Sequence, residues 1–394
     1  LIEGALKDTR PTVAVIDHDL RRFRVSFYEL FRERLDERGV RLALIYSTPL
    51  GKEGGRGDHV DLPWAHRVEQ RHLRLGRYEV TWQPVQGLVK DVDLVIVQQA
   101  MRRLQNYILM AREMMHGPPV ALWGHGRNFQ ATSRLQNLTE AGKRFISRRA
   151  HWFFAYNDLS AEILGQIGYP ADRLTVVGNS IDTRALAAAR DRVTADDRVA
   201  LREELGIVGE RVGIFVGSMY EEKRLPFLVE AAVAIRELVP GFELICVGSG
   251  DQSDIIEGAA RSHEWIHYVG PRFGDELARY FSLARVFLLP GLVGLAVLDS
   301  FVVGVPLVTT TEALHSPEIS YLENGVNGLM VEGDGSGGSY VDAVVRVLTD
   351  DALHNRLVNG CLASAEHYSI EAMSERYADG VVEALAAGRR GRGR

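Results

Sequence analysis

PGLVGLAVLDSFVVGVPLVTT, residues 290–310, decides how the chain folds. It opens on a proline and two glycines, Gly291 and Gly294, and turns apolar around a single acid, Asp299. It closes on β-branched residues. VFLLP (286–290) reads as a strand, VPLVTT (305–310) as another, and the stretch between them as a short helix after a glycine turn. Strand, turn, helix, strand is the repeating unit of a parallel α/β sheet. Gly294, Leu295 and Ala296 stand at the expected helix start, where free N–H groups and the helix dipole favour an anion such as phosphate. Gly294 would let a ligand approach the backbone closely. Asp299 lies too far along to be an N-cap, and its helical neighbours Leu295, Val302 and Val303 are apolar. Either it is buried and needs donors, for which ligand hydroxyls would serve, or it sits on the helix's solvent face. Spacing alone leaves both readings open.

The same alternation runs outward in both directions. Upstream, TVAVID (12–17), VRLALIYS (40–47), DLVIVQQ (93–99), PVALWGHG (119–126), HWFFAYN (151–157) and LTVVGNS (174–180) read as strands, with helical stretches between most of them. VSFYELFRERLDERG (25–39) places Phe27, Leu30, Phe31 and Leu35 at helical spacing and stops at Gly39. After a seam near 178–194, VGIFVG, FELICVGSG, IHYVG, VFLLPG and GLMV repeat the pattern. The expectation is an α/β chain of two Rossmann-like halves. Residues 1–178 form an N-terminal domain, 179–207 a linker and surface helix, and 208–360 a C-terminal domain. Residues 361–386 form a last amphipathic helix, and 387–394 a basic disordered tail.

Composition narrows the class. The chain has 394 residues, 46% hydrophobic and 25% charged, which suits two core-forming domains. Its two cysteines, Cys246 and Cys361, support neither a disulfide framework nor a zinc pattern. No apolar run is long enough to span a bilayer, and no leader pattern opens the sequence given, so a cytoplasmic protein is expected. Residues 1–150 carry 25 Lys+Arg against 17 Asp+Glu, while the remainder carries 21 against 35. That asymmetry fits different partners for each half, or two solvated surfaces. The basic residues lack interleaved aromatics and any nucleic-acid motif, so nucleic acid is not an expected partner.

Two further loops resemble the opening one. FVGSMYEEKR (215–224) and CVGSGDQSD (246–254) each read as strand, glycine turn and helix start. Three such turns in one domain point to a nucleotide cleft at the carboxyl edge of its sheet. Lys223, near a positive helix end, calls for a bound anion, or else pairs with Glu221 or Glu222. In the first half His125 lies between two glycines at a strand's carboxyl end, facing the cleft or serving structure. No dinucleotide G-x-G-x-x-G follows the first strand, and Walker A, H-E-x-x-H and G-x-S-x-G patterns are missing. DHD (17–19) and DVD (91–93) read as ordinary loops.

In order and spacing, VVGNSIDT, GIFVGSMYEEKR, LICVGSGD, YVGPRFGDELARYFSLARVFLLPG, GLVGLAVLDSFVVGVPLVTT and PEISYLENGVNGLMV resemble a retaining GT-B glycosyltransferase of family 4. They cover most of residues 176–331. The first half is similar more loosely, through RFRVSFYELF, DLVIVQQ and LWGHGRN. The resemblance implies GT-B architecture, two parallel sheets facing across a cleft, with the last helix crossing back to the first domain. It implies that Lys223 pairs with the donor diphosphate, that Gly217, Ser218, Arg224 and Gly248 line the donor site, and that Val269 and Gly270 hold the nucleobase. Gly294, Leu295 and Ala296 match the diphosphate-binding helix start. Asp299 matches the second acid of the family's E-x7-E motif, which holds the ribose. The first acid of that motif is Gly291 here, and an arginine common near the first loop is Ser218, a position for which Arg224 could substitute. His125 is similar to a histidine at the reaction centre, and Glu318 is taken as structural.

The implied activity is metal-independent, retaining transfer of a sugar from a nucleotide sugar to a hydroxyl acceptor, with no cofactor (EC 2.4). The acceptor is lipid-linked glycan or a secondary metabolite, and the basic half suits contact with an anionic membrane. The missing acid and cation keep two alternatives open: a GT-B-like binding or partner protein without turnover, and a pseudo-glycosyltransferase joining non-sugar rings.

Overall fold

The computed structural model describes residues 9–47, 60–75, 78–100, 102–126, 146–333 and 337–392. The chain divides into two compact units: residues 1–181 together with 370–394, and residues 182–369.

The first unit contains β1 (Thr12–Asp17), β2 (Arg41–Tyr46), β3 (His66–Arg67), β4 (Arg71–Leu75), β5 (Tyr78–Trp82), β6 (Leu94–Gln98), β7 (Val120–Gly124), β8 (Trp152–Ala155) and β9 (Leu174–Val176). Its main sheet has the order β3-β2-β1-β6-β7-β8-β9, parallel throughout, and β4-β5 is a separate antiparallel hairpin. Every residue of β1, β7 and β8 is buried, as strands covered on both faces require. The sequence reading did not include β3 or the hairpin.

The helix Arg22–Glu37 buries Phe27, Phe31 and Leu35 at helical spacing, and the chain leaves it through Gly39 at φ +68°. Against the same sheet face lies the last helix, Ile370–Arg392. Its Tyr377 ring sits 4.7 Å from Phe31, 4.4 Å from Phe154 and 5.3 Å from Trp123. Arg38 donates to Asp379 at 2.7 Å beside this cluster. Two boundaries differ from expectation. Residue 361 falls inside the helix Asp351–His367 of the second unit, and the last helix starts only at Ile370. That helix also continues to Arg392, through most of the stretch expected to be a disordered tail.

The second unit contains β10 (Arg211–Val216), β11 (Phe242–Val247), β12 (Ile266–Gly270), β13 (Val286–Leu288), β14 (Leu307–Thr310) and β15 (Gly328–Val331). The order is β12-β11-β10-β13-β14-β15, again parallel throughout. Winding goes outward from β10 to β12, then returns to start at β13 on β10's other side. The β10/β13 seam is therefore the topological switch point, where ligands of such sheets bind at the strands' carboxyl ends. Of residues 179–207, expected as linker and surface helix, those from 182 onward belong to this unit and form two helices. Leu186 and Ala189 of Arg184–Arg192 pack with Ala278 and Val302. Ala195–Leu205 starts at a capping box, Thr194 with Asp197, and ends at Gly206 at φ +68°.

Candidate functional site

At that switch point the loops after β10 and β13 touch backbone to backbone. The β10 loop runs into a single 3-10 turn, Glu221–Lys223, followed by the helix Leu225–Leu238. The Leu292 N–H donates to the Glu222 carbonyl at 2.7 Å, and Lys223 Nζ donates to the Leu292 carbonyl at 2.6 Å. A Cβ on residue 291 would stand 2.3 Å from the Glu222 oxygen and 2.4 Å from the Lys223 carbonyl carbon. Only glycine fits there. The motif acid is therefore missing at 291 because the β10 loop occupies the space its side chain would need.

Lys223 is 5% exposed. Burial lowers its ammonium to about 8, and Glu222 pulls weakly the other way. Its Nζ also lies 5.6 Å from the centre of the Tyr220 ring. A buried cation whose recorded hydrogen bond is to one carbonyl keeps donors for an anion. Arg224 is placed differently. It sits at φ +56°, stacks over Phe227 at 4.5 Å, and donates to Thr310 Oγ1 and Glu312 Oε2, each at 3.0 Å. Its charge is paired with Glu312, while Ser218 is exposed.

The helix after β13 spans Ala296–Val303, with Leu295 as N-cap and no side chain capping it. Among the described residues, the N–H groups of Gly294, Leu295 and Ala296 have no acceptor. Free N–H groups at a helix start are the kind of donor that favours an anion. Asp299 lies in the first turn and is half-buried, with no hydrogen-bond or ion-pair partner among the described residues. Desolvation pushes its carboxyl up to about 7. It thus lies between the two readings open from spacing, partly packed and partly reached by water.

The other glycines allow close packing of the neighbouring loops. A Cβ on Gly248 would stand 1.9 Å from the Gly217 oxygen, and one on Gly250 would stand 2.3 Å from the Met219 oxygen. Gly217 and Met219 donate to the Val247 and Ser249 carbonyls at 3.1 and 2.9 Å, so the β10 and β11 loops form one layer. Gly270, at φ +70°, gives its carbonyl to the Gly248 N–H at 3.0 Å, and Val269 beside it is half-buried. Glu318 is buried in the 3-10 turn Pro317–Tyr321.

Sequence reasoning missed His315 and Thr310. Val293 N–H donates to His315 Nδ1 at 3.1 Å, and His315 Nε2 lies 2.6 Å from the Thr310 carbonyl. Thr310 Oγ1 donates to the Pro290 carbonyl at 3.0 Å. A histidine in the loop after a buried strand, on its own, carries no pattern that would mark it.

His125 belongs to the first unit. A Cβ on Gly124 would come 2.7 Å from the Gln99 Cβ, and the Gly126 N–H donates to Gln99 Oε1 at 2.9 Å, so the flanking glycines clamp this turn to Gln99. The His125 ring meets Tyr156 edge-on at 4.0 Å. Residues 127–145, which begin with the rest of the LWGHGRN segment, lie outside the described residues. In DHD, Asp17 is buried and accepts from Tyr28 at 2.6 Å and Gln98 at 3.1 Å. No cluster of three or more His, Cys, Asp or Glu placed to hold a metal occurs among the described residues.

Residues 210–350 match the family model for glycosyl transferases group 1. The matched residues lie within the second unit and span all six of its strands. The chain is 23% identical over 306 residues to an alpha-D-kanosaminyltransferase of Streptomyces kanamyceticus, covering 74% of this chain and 70% of that protein. It is 26% identical over 201 residues to the amylovoran biosynthesis glycosyltransferase AmsK of Erwinia amylovora, spanning 46% of each. In fold it is similar to Anabaena HepE, solved in complex with UDP, at a TM-score of 0.67 and 14% identity over 94% of this chain and 99% of that one. The fold is thus of the GT-B class, and the chain is a transferase of class EC 2.4.

Proposed function

We propose that the chain transfers a sugar from a nucleotide sugar to a hydroxyl acceptor with retention of configuration, without needing a metal or other cofactor. The observation that carries this is the buried Lys223 ammonium beside a helix start with three unpartnered N–H groups. A departing diphosphate has its charge met there by one cation and by backbone donors, the role a metal plays elsewhere. Binding the anion would also restore the ammonium that burial disfavours. Asp299, packed and without a protein donor, takes the ribose hydroxyls, as the resemblance implies.

Retention and the placement of His125 at the reaction centre are carried by the family resemblance. They describe front-face displacement, in which the leaving phosphate assists the acceptor hydroxyl. The alternative of a chain without turnover rested on Gly291 and Ser218. Gly291 has its own cause in the packing of Glu222 and Lys223, which favours the enzymatic reading. A donor panel of UDP, GDP, ADP and dTDP sugars, assayed for hydrolysis and transfer with and without EDTA, tests the reading. Turnover that survives EDTA, with the product's anomeric configuration unchanged by NMR, is the expected result. Binding with no turnover across donors and acceptors would refute it.

A further inference from the structure

The loop between β13 and its helix is held from one side by consecutive residues of another loop. His315 Nδ1 accepts the Val293 N–H at 3.1 Å, and the Ser316 N–H donates to the Val293 carbonyl at 2.9 Å. Both polar groups of Val293's backbone are thereby engaged, immediately before Gly294. The carbonyl of Thr310 can only accept, so His315 Nε2, at 2.6 Å from it, must carry the ring's hydrogen. Nδ1, which receives an N–H, must carry none. The two contacts together define a neutral imidazole of one tautomer.

We propose that His315 is a positioning residue of the donor site, whose neutral Nε2–H form fixes Val293 and so aims the N–H groups of Gly294, Leu295 and Ala296 at the diphosphate. This rests on the reading that the second unit binds a nucleoside diphosphate. Its surroundings favour the neutral ring. Burial and the nearby Lys223 ammonium lower its pKa, although the Thr310 carbonyl works against them. Arg224 reaches the Thr310 hydroxyl, but its charge is paired with Glu312. No carboxylate pairs with His315 among the described residues. Protonation would turn Nδ1 into a donor facing a donor, and the loop would have to release Val293. Donor affinity then falls on acidification.

Two other groups titrate near this window, Asp299 at about 7 and Lys223 at about 8, so variants must separate them. The test is calorimetric binding of UDP-, ADP-, GDP- and dTDP-glucose, whose diphosphate diesters keep their charge across the range, at about pH 5.5 and about pH 7.5. His315→Asn keeps an acceptor near Nδ1 but cannot titrate. It is expected to bind the best of these probes within about threefold of the parent at the higher pH, and to lose less affinity at the lower. His315→Gln keeps a donor near Thr310 but orphans the Val293 N–H, and is expected to bind roughly tenfold more weakly at both. Equal affinity of His315→Gln and the parent overturns the inference, as does an acid loss in His315→Asn equal to the parent's. If His315→Gln does not fold, by its melting curve, the pH comparison with His315→Asn decides alone. A parent chain that binds none of the four probes instead refutes the donor-site reading, and this inference with it.

Discussion

Replacing Asp299 with asparagine should raise stability and lower donor affinity at the same time. Its carboxyl titrates near 7 in the folded chain against 3.8 for the ordinary group, a rise caused by desolvation. A raised folded-state pKa means that the folded protein binds this proton more tightly. The group's contribution is fully present below pH 3.8 and is lost as pH rises through about 7. Three units at about 1.4 kcal/mol each give an upper bound of roughly 4 kcal/mol. Asp299 is half-buried and water reaches part of it, so about 2 kcal/mol is the working figure. Asparagine keeps the shape without the charge. In urea unfolding of the second unit's transition, Asp299→Asn should match the parent at about pH 3 and exceed it by roughly 2 kcal/mol at about pH 8. Nucleotide affinity at the higher pH should drop about tenfold to a hundredfold, the worth of hydrogen bonds from ribose hydroxyls to a charged acceptor. A difference between the two proteins that does not change with pH would refute the burial argument. Unchanged nucleotide affinity would refute the ribose role.

Lys223→Met should cut turnover at least a hundredfold, since the cation acts where charge develops, and steady-state kinetics with saturating donor reads it. Without ligand, the ammonium's lowered pKa means its charge costs stability as pH falls through about 8, so the same variant should melt no lower than the parent at neutral pH. Gly291→Ala forces the β10 and β13 loops apart; it should cost about 1–3 kcal/mol in chemical denaturation and weaken nucleoside diphosphate binding. Tyr377→Ala removes the ring between Phe31, Phe154 and Trp123 and should cost about 3–5 kcal/mol in the first unit's transition, leaving nucleotide affinity of the folded chain unchanged.

Much of this was legible in the sequence because it is local. Strands such as TVAVID and FELICV announce themselves by β-branched apolar runs, and the helix start at residues 294–296 follows from a glycine turn before an apolar stretch. Lys223 was legible as a cation at a positive helix end. What escaped was contact between segments distant in the chain. The reason for glycine at 291 lies in the carbonyls of residues 222–223, and the tautomer of His315 lies in Val293 and Thr310. The pairing of Arg224 with Glu312, far along the chain, was likewise out of reach of the sequence. Similarly, residues 182–207 looked like a linker because their apolar positions are few, yet Leu186 and Ala189 are enough to seat a helix on its neighbours.

The last helix has a consequence for how the protein is made. Synthesis runs from the N-terminal side, and domains ordinarily fold in the order they emerge. Here the first unit includes residues 370–392, which follow the whole of the second. Until Tyr377 is translated, the aromatic face formed by Phe27, Phe31, Trp123 and Phe154 lacks its cover. Of the two units, the one that emerges earlier is therefore the later to close, and its unfinished sheet face is where a chaperone or an aggregate would find the nascent chain.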